Sequence, residues 1–152
     1  MPTRSNTVSG AQPDDTLQVC DTDSEYGLGV RTLAPRHKGE VIHHFTGVVS
    51  PELKQHSLQV SPGLHISETA VIGFLSHSCA PDCRLDMAKS EVVALRDIAA
   101  GDLLTIDYAE TEDVLYRQFA CHCGAPSCRQ WITGREEGPN AEGRAYLASL
   151  KP

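Results

Sequence analysis

Apolar positions along the chain come in short runs at strand length: Leu17 to Cys20, Val30 to Ala34, Val41 to Val49, Leu58 to Val60, Leu64 to Ile66, Glu91 to Leu95 and Leu103 to Tyr108. Turn signals separate them, among them His37-Lys38-Gly39-Glu40, Ser61-Pro62-Gly63 and Ala100-Gly101-Asp102. Short β-rich runs punctuated by Gly, Pro, Asp and Ser predict a mainly β domain of small sheets. Helical spacing is scarce. One turn is expected near Thr69 to Leu75, and a weakly apolar helix over Ala141 to Leu150, where Ala145, Leu147 and Leu150 share a face. Residues 1–16 carry almost nothing to bury and read as a flexible tail.

Composition narrows the class. At 152 residues the chain fits one domain, large enough for a real core without disulfide staples. No apolar run approaches the roughly 20 residues that span a bilayer, and no apolar stretch follows the single charge of the opening six residues. These features predict an intracellular protein with no membrane partner, in nucleus or cytoplasm alike, since no Lys/Arg-rich run is present. Twenty acidic residues against 13 Lys and Arg argue against direct nucleic-acid binding and suit a protein or peptide partner in a basic context.

Three of the six cysteines form Cys121-His122-Cys123-Gly124-Ala125-Pro126-Ser127-Cys128. A C-x-C-x4-C turn gathers thiolates around a common point, as a structural zinc requires, and a closed four-ligand shell leaves no open position for substrate. The fourth ligand has several candidates: Cys79, Cys83, Cys20 or His122.

Three segments together resemble a SET domain with its post-SET zinc knuckle, the family of S-adenosylmethionine-dependent protein-lysine methyltransferases. Tyr26-Gly27-Leu28-Gly29-Val30 resembles the family's G-x-G turn. Phe74-Leu75-Ser76-His77-Ser78-Cys79-Ala80-Pro81-Asp82-Cys83 resembles its R-F-x-N-H-S-C-x-P-N-C signature, and Leu104-Thr105-Ile106-Asp107-Tyr108 its L-T-x-D-Y strand end. The likeness runs from about Gln18 to Gly134. It implies a SET-type fold of small sheets with a C-terminal pseudoknot, divided as a SET domain over 17–118, a zinc knuckle over 119–134 and a C-terminal tail over 135–152. It further implies that Gly27, Leu28, Gly29, Ser76 and His77 hold S-adenosylmethionine, and that Tyr108 lines the methyl-transfer channel. Trp131 would cover the adenine face, or serve as a plain core residue. Cys79, Cys121, Cys123 and Cys128 would bind one structural zinc ion, leaving Cys83 a free thiol and Cys20 without a role. Ile106, aliphatic at the x of L-T-x-D-Y, implies multiple methylation.

Two positions depart from the family pattern: Ser76 stands at its asparagine and Gly73 at its arginine. Serine offers one donor where asparagine offers two, so a cofactor contact is expected to weaken. The stretch from Ser50 to Ala70 is short, which makes substrate recognition the least transferable property. Competing readings are a zinc-stabilised binding module without turnover, and a methyltransferase for a small molecule. Other groupings read as structure: His43 and His44 point to opposite faces of a regular strand, and Asp107, Glu110, Glu112 and Asp113 read first as a solvated charge run.

Overall fold

The computed structural model describes residues 15–22 and 27–150. Most of the expected N-terminal tail (residues 1–14) and Tyr26 of the G-x-G turn lie outside the described residues. Twelve strands are described, in chain order β1 (Leu17–Asp21), β2 (Leu28–Thr32), β3 (Val41–His44), β4 (Val48–Ser50), β5 (Leu58–Ser61), β6 (Leu64–Ser67), β7 (Ser76–His77), β8 (Cys83–Asp86), β9 (Glu91–Ala94), β10 (Thr105–Ile106), β11 (Phe119–Ala120) and β12 (Trp131–Ile132). One helix, α1 (Ala141–Ser149), follows them, and short 3-10 turns cover Ile72–Phe74 and Tyr108–Glu110.

The strands form small sheets, which is the mainly β class that the short apolar runs dictate. β1 pairs antiparallel with β2, β9 lies between β3 and β8, and β6 lies between β4 and β5. The expected single run from Val41 to Val49 divides because its two halves join different sheets; Phe45 turns into the core between them at 4% exposure. Leu103 to Tyr108 likewise yields only two strand residues. Leu104 N–H donates to Val30 O at 2.8 Å, which ties this segment to β2 before β10 reaches β7.

β7 and β10 pair in parallel, Ser76 with Thr105 and His77 with Ile106. This two-residue ladder joins the 75–83 loop to the C-terminal third of the chain and places His77 beside Tyr108. The main core beneath is aliphatic: Val30, Ile72, Leu75, Val92, Leu104 and Ile106 are almost completely buried. A smaller cluster of Leu115, Cys121 and Ile132 lies under the knuckle, and Tyr108 packs against both cores. Among the described residues no helix is long and apolar enough to cross a membrane.

Candidate functional site: a cysteine cluster beside an aromatic cleft

The Sγ atoms of Cys79, Cys121, Cys123 and Cys128 all lie within 4.8 Å of one another. Four sulfurs around a tetrahedral zinc at about 2.3 Å would stand roughly 3.8 Å apart, so small movements suffice to close the shell. The donor set fits a soft divalent ion. Burial opposes ionisation of Cys123, but N–H groups of Ala125 and Cys79 and the neighbouring thiols outweigh it and bring that thiol down to about 6. Burial and hydrogen bonds to Cys123 and Cys128 push the Cys121 thiol the other way, so within this shared network Cys123 gives up its proton before Cys121 does. Cys83 lies outside the cluster with no exposed surface, its thiol pushed up by burial and by Asp82. Cys20 is half-buried on β1 and His122 is exposed on the knuckle; neither joins the cluster.

Beside the cluster a cleft of about 620 Å³ is lined by Leu28, Ser76, His77, Tyr108, Phe119 and Trp131 among others. That volume lies in the range of small-molecule sites. Of the positions expected for cofactor and catalysis, Leu28, Ser76, His77, Tyr108 and Trp131 line it, together with the expected metal ligands Cys121 and Cys123. Gly27, in a left-handed turn conformation (φ +77°), and Gly29 do not line this wall. Gly29 instead faces Ser76, whose Oγ occupies space where a Cβ at position 29 would stand 2.9 Å away. Ser76 and His77 also line a second, shallower cleft of about 210 Å³ with Ser78, Leu103, Thr105 and Cys123.

Tyr108 opens the 3-10 turn after β10. Its hydroxyl donates to Leu75 O, and its backbone N–H donates to His77 Nδ1 at 3.1 Å. The rings of His77, Tyr108 and Phe119 meet edge to face, with centroids 5.2 to 5.8 Å apart. Burial, helped by the nearby Glu112 carboxylate, pushes the Tyr108 phenol up to about 12, so it stays protonated. Burial brings His77 down to about 4; Arg129 adds to that shift and Asp107 opposes it. At neutral pH the imidazole is uncharged, and its Nδ1 serves as an acceptor rather than as half of an ion pair.

Trp131 is buried at 6% exposure, donates from Nε1 to Gln118 Oε1 at 2.8 Å, and carries α1 on its other side. Tyr146 of α1 sits with its ring centroid 5.6 Å from the indole, and a Cβ on Gly143 would collide with the indole nitrogen. Trp131 is thus a packed residue that also lines the cleft. Gln118, Phe119 and Tyr146 were not legible as site residues: each is brought in by the β11–β12 pairing or by docking of α1, which no local pattern announces.

Of Asp107, Glu110, Glu112 and Asp113, expected as a solvated run, Glu110 is exposed as expected and the other three are drawn into the fold. Glu112 is 5% exposed and accepts the backbone N–H of Gln59 at 2.7 Å; Asp113 accepts from the Gln59 amide at 2.7 Å and from Arg135, and Asp107 accepts from Arg129. Glu112 supplies an acceptor for the free edge of β5, and Asp113 one for the Gln59 side chain on that strand. His43 and His44 do face opposite ways: His43 is buried, while His44 is exposed and reaches Glu91 at 3.0 Å.

The departure at Gly73 has a local cause. A Cβ there would stand 2.5 Å from the carbonyl oxygen of His56, whose Nδ1 in turn lies 3.1 Å from Gly73 O. The 54–57 loop occupies the place that a side chain at 73 would need.

Residues 27–109 match the SET domain family model, more than half of the chain, and the protein belongs to the SET-domain family. Among curated proteins it is 35% identical over 65 residues to the Yarrowia lipolytica histone-lysine N-methyltransferase, H3 lysine-4 specific, covering 39% of this chain and 6% of that one. It is 28% identical over 137 residues to the Drosophila melanogaster histone-lysine N-methyltransferase ash1, covering 75% and 6%. A solved structure of KRYPTONITE with mCHH DNA, an H3(1-15) peptide and SAH superimposes with a TM-score of 0.57 at 26% identity, over 76% of this chain and 29% of that one. The chain therefore spans a small fraction of the length of these relatives. The DNA in the KRYPTONITE complex overturns the expectation of no nucleic-acid partner, because a chain similar to this one is seen with DNA. Net acidity of one domain does not decide that question; local patches and companion domains do.

Proposed function

We propose that the protein is an S-adenosylmethionine-dependent methyltransferase that acts on a lysine side chain of a protein. The observation that carries this reading is Tyr108: a neutral phenol in the cleft wall, its O–H committed to Leu75 O, next to the loop of Ser76 and His77. Support comes from the family and from relatives that are histone-lysine N-methyltransferases.

When bound, S-adenosylmethionine supplies a methyl group on a sulfonium sulfur. Because its proton points at Leu75 O, the Tyr108 oxygen keeps lone pairs free and accepts an N–H of an incoming amine. That contact turns the nitrogen lone pair along the channel, which is the alignment that an in-line displacement needs. A lysine ammonium, with an ordinary value of about 10.4, must first pass its proton to water outside the cleft, and a dry aromatic wall of Tyr108 and Phe119 favours entry of the neutral amine. Leu28, Ser76, His77 and Trp131 are assigned to the cofactor, Gly27 and Gly29 to the backbone turn that approaches it. Cys79, Cys121, Cys123 and Cys128 are assigned to one structural zinc, which holds the knuckle wall of the cleft in place.

Calorimetric titration of S-adenosylmethionine and S-adenosylhomocysteine into zinc-loaded protein tests the cofactor assignment. Dissociation constants in the micromolar range are expected, weakened about tenfold or more by Trp131→Ala. Absence of heat and of any thermal protection by both ligands would instead favour a binding module without turnover.

A further inference from the structure

Arg129 follows the last knuckle cysteine directly and links the two halves of the site. Its backbone N–H and its Nε–H both donate to Cys79 Sγ, each at 3.4 Å. The same guanidinium donates from its Nη2 to Asp107 Oδ1 at 2.7 Å and passes 3.5 Å from His77 Nε2. Asp107 in turn caps the turn that begins with Tyr108, accepting the Ala109 N–H at 3.0 Å, and Tyr108 N–H rests on His77 Nδ1. One planar side chain therefore touches a thiol of the cysteine cluster, the carboxylate that shapes the Tyr108 turn, and the histidine of the cleft wall.

We propose that Arg129 is a positioning residue that couples the cysteine-held metal to the Tyr108 end of the cofactor cleft, so that filling one site tightens the other. This rests on the zinc and cofactor assignments above. The chemistry requires arginine. Nε–H and Nη2–H diverge from one rigid plane and satisfy a sulfur and a carboxylate at once, whereas a lysine ammonium on an unbranched stem reaches one of them. Donors to a ligating sulfur offset its charge and fix its direction, and contacts of this kind matter to metal affinity at the level of about 10- to 100-fold. Coupling between two binding sites is reciprocal, so it is readable from the metal side without turnover.

The test is chelator competition for zinc on the full chain, with and without saturating S-adenosylhomocysteine, with cofactor binding followed by calorimetry in the same samples. In the unmodified protein the ligand is expected to strengthen zinc retention about tenfold. Arg129→Lys should bring that ratio to about one while the Arg129 backbone N–H still holds Cys79. Asp107→Ala, which severs the link from the other side without touching the cysteines, should do the same. Arg135→Lys, whose guanidinium serves Asp113 and the Glu110 and Thr111 carbonyls, should keep the full ratio. Arg129→Lys and Asp107→Ala proteins that retain the unmodified ratio overturn the proposal, as does an unmodified protein that binds S-adenosylhomocysteine with no change in zinc retention. A chain that binds no cofactor at all overturns the cofactor assignment and this coupling together, and the calorimetry tells the two failures apart.

Discussion

Glu112 is a carboxylate whose burial works against its charge. Its pKa is raised first by desolvation, against lowering contributions from the Gln59 N–H and the Thr111 hydroxyl. A folded-state value above the ordinary one, near 4.3, means that the fold holds the proton more tightly than the unfolded chain does. The stabilisation from this group is thus complete below the ordinary value and is lost as pH rises through the raised one. Glu112→Gln keeps an oxygen for the Gln59 N–H and removes the ionisation. Its melting temperature is expected to equal or exceed the unmodified protein's at pH 7, with the difference vanishing below about pH 4. A variant that is less stable at pH 7 would show that the charge itself is needed. At Gly73 the expected effect has the opposite sign: Gly73→Ala forces a Cβ onto the His56 carbonyl, and urea unfolding should show a loss of about 1–3 kcal/mol. These two residues also mark the limit of a one-dimensional reading. That position 73 departs from the family arginine is visible in the sequence; that the 54–57 loop fills its space is not, because the contact joins residues 17 positions apart.

At the scale of elements, pairing over long distances decided what was legible. Strands with an apolar run of their own, such as β1 and β9, stand where the pattern predicts them, and α1 ends within a residue of its expected limit. The two-residue strands β7, β10, β11 and β12 carry no period of their own. They exist because a partner elsewhere in the chain supplies the ladder, yet three of them border the cleft. The four zinc-ligand candidates were legible because spacing and family signature converge on one point, and their sulfurs do meet there. α1 is a weakly apolar helix whose docking depends on Gly143 lying flat against Trp131. Alanine favours an isolated helix by about 1 kcal/mol over glycine, so Gly143→Ala would stabilise α1 if the helix stood alone. Against the indole it is expected to undock, shifting the emission of the chain's single tryptophan to the red and opening the tail to proteolysis near Asn140. Unchanged fluorescence and protection would mean that the helix is not held by this contact.

For the whole molecule, two apolar cores meet at Tyr108, the larger under the sheets and the smaller under the knuckle. The smaller core contains Cys121 and packs against Cys79, Cys123 and Cys128. Chelation of zinc is expected to lower the unfolding midpoint by roughly 2–8 °C, the shift given by a loss of about 1–2 kcal/mol in a domain of this size. Methyl transfer itself is the most direct measurement. Zinc-loaded protein, labelled S-adenosylmethionine and a panel of lysine-containing proteins and peptides should, on the proposed function, yield label on lysine, located by mass spectrometry. Tyr108→Phe, which deletes the hydroxyl oxygen proposed to orient the amine, should lower the rate about a hundredfold while cofactor binding persists. Cofactor binding without label on any lysine across a panel of proteins and peptides, or a Tyr108→Phe variant as fast as the unmodified protein, would contradict the account.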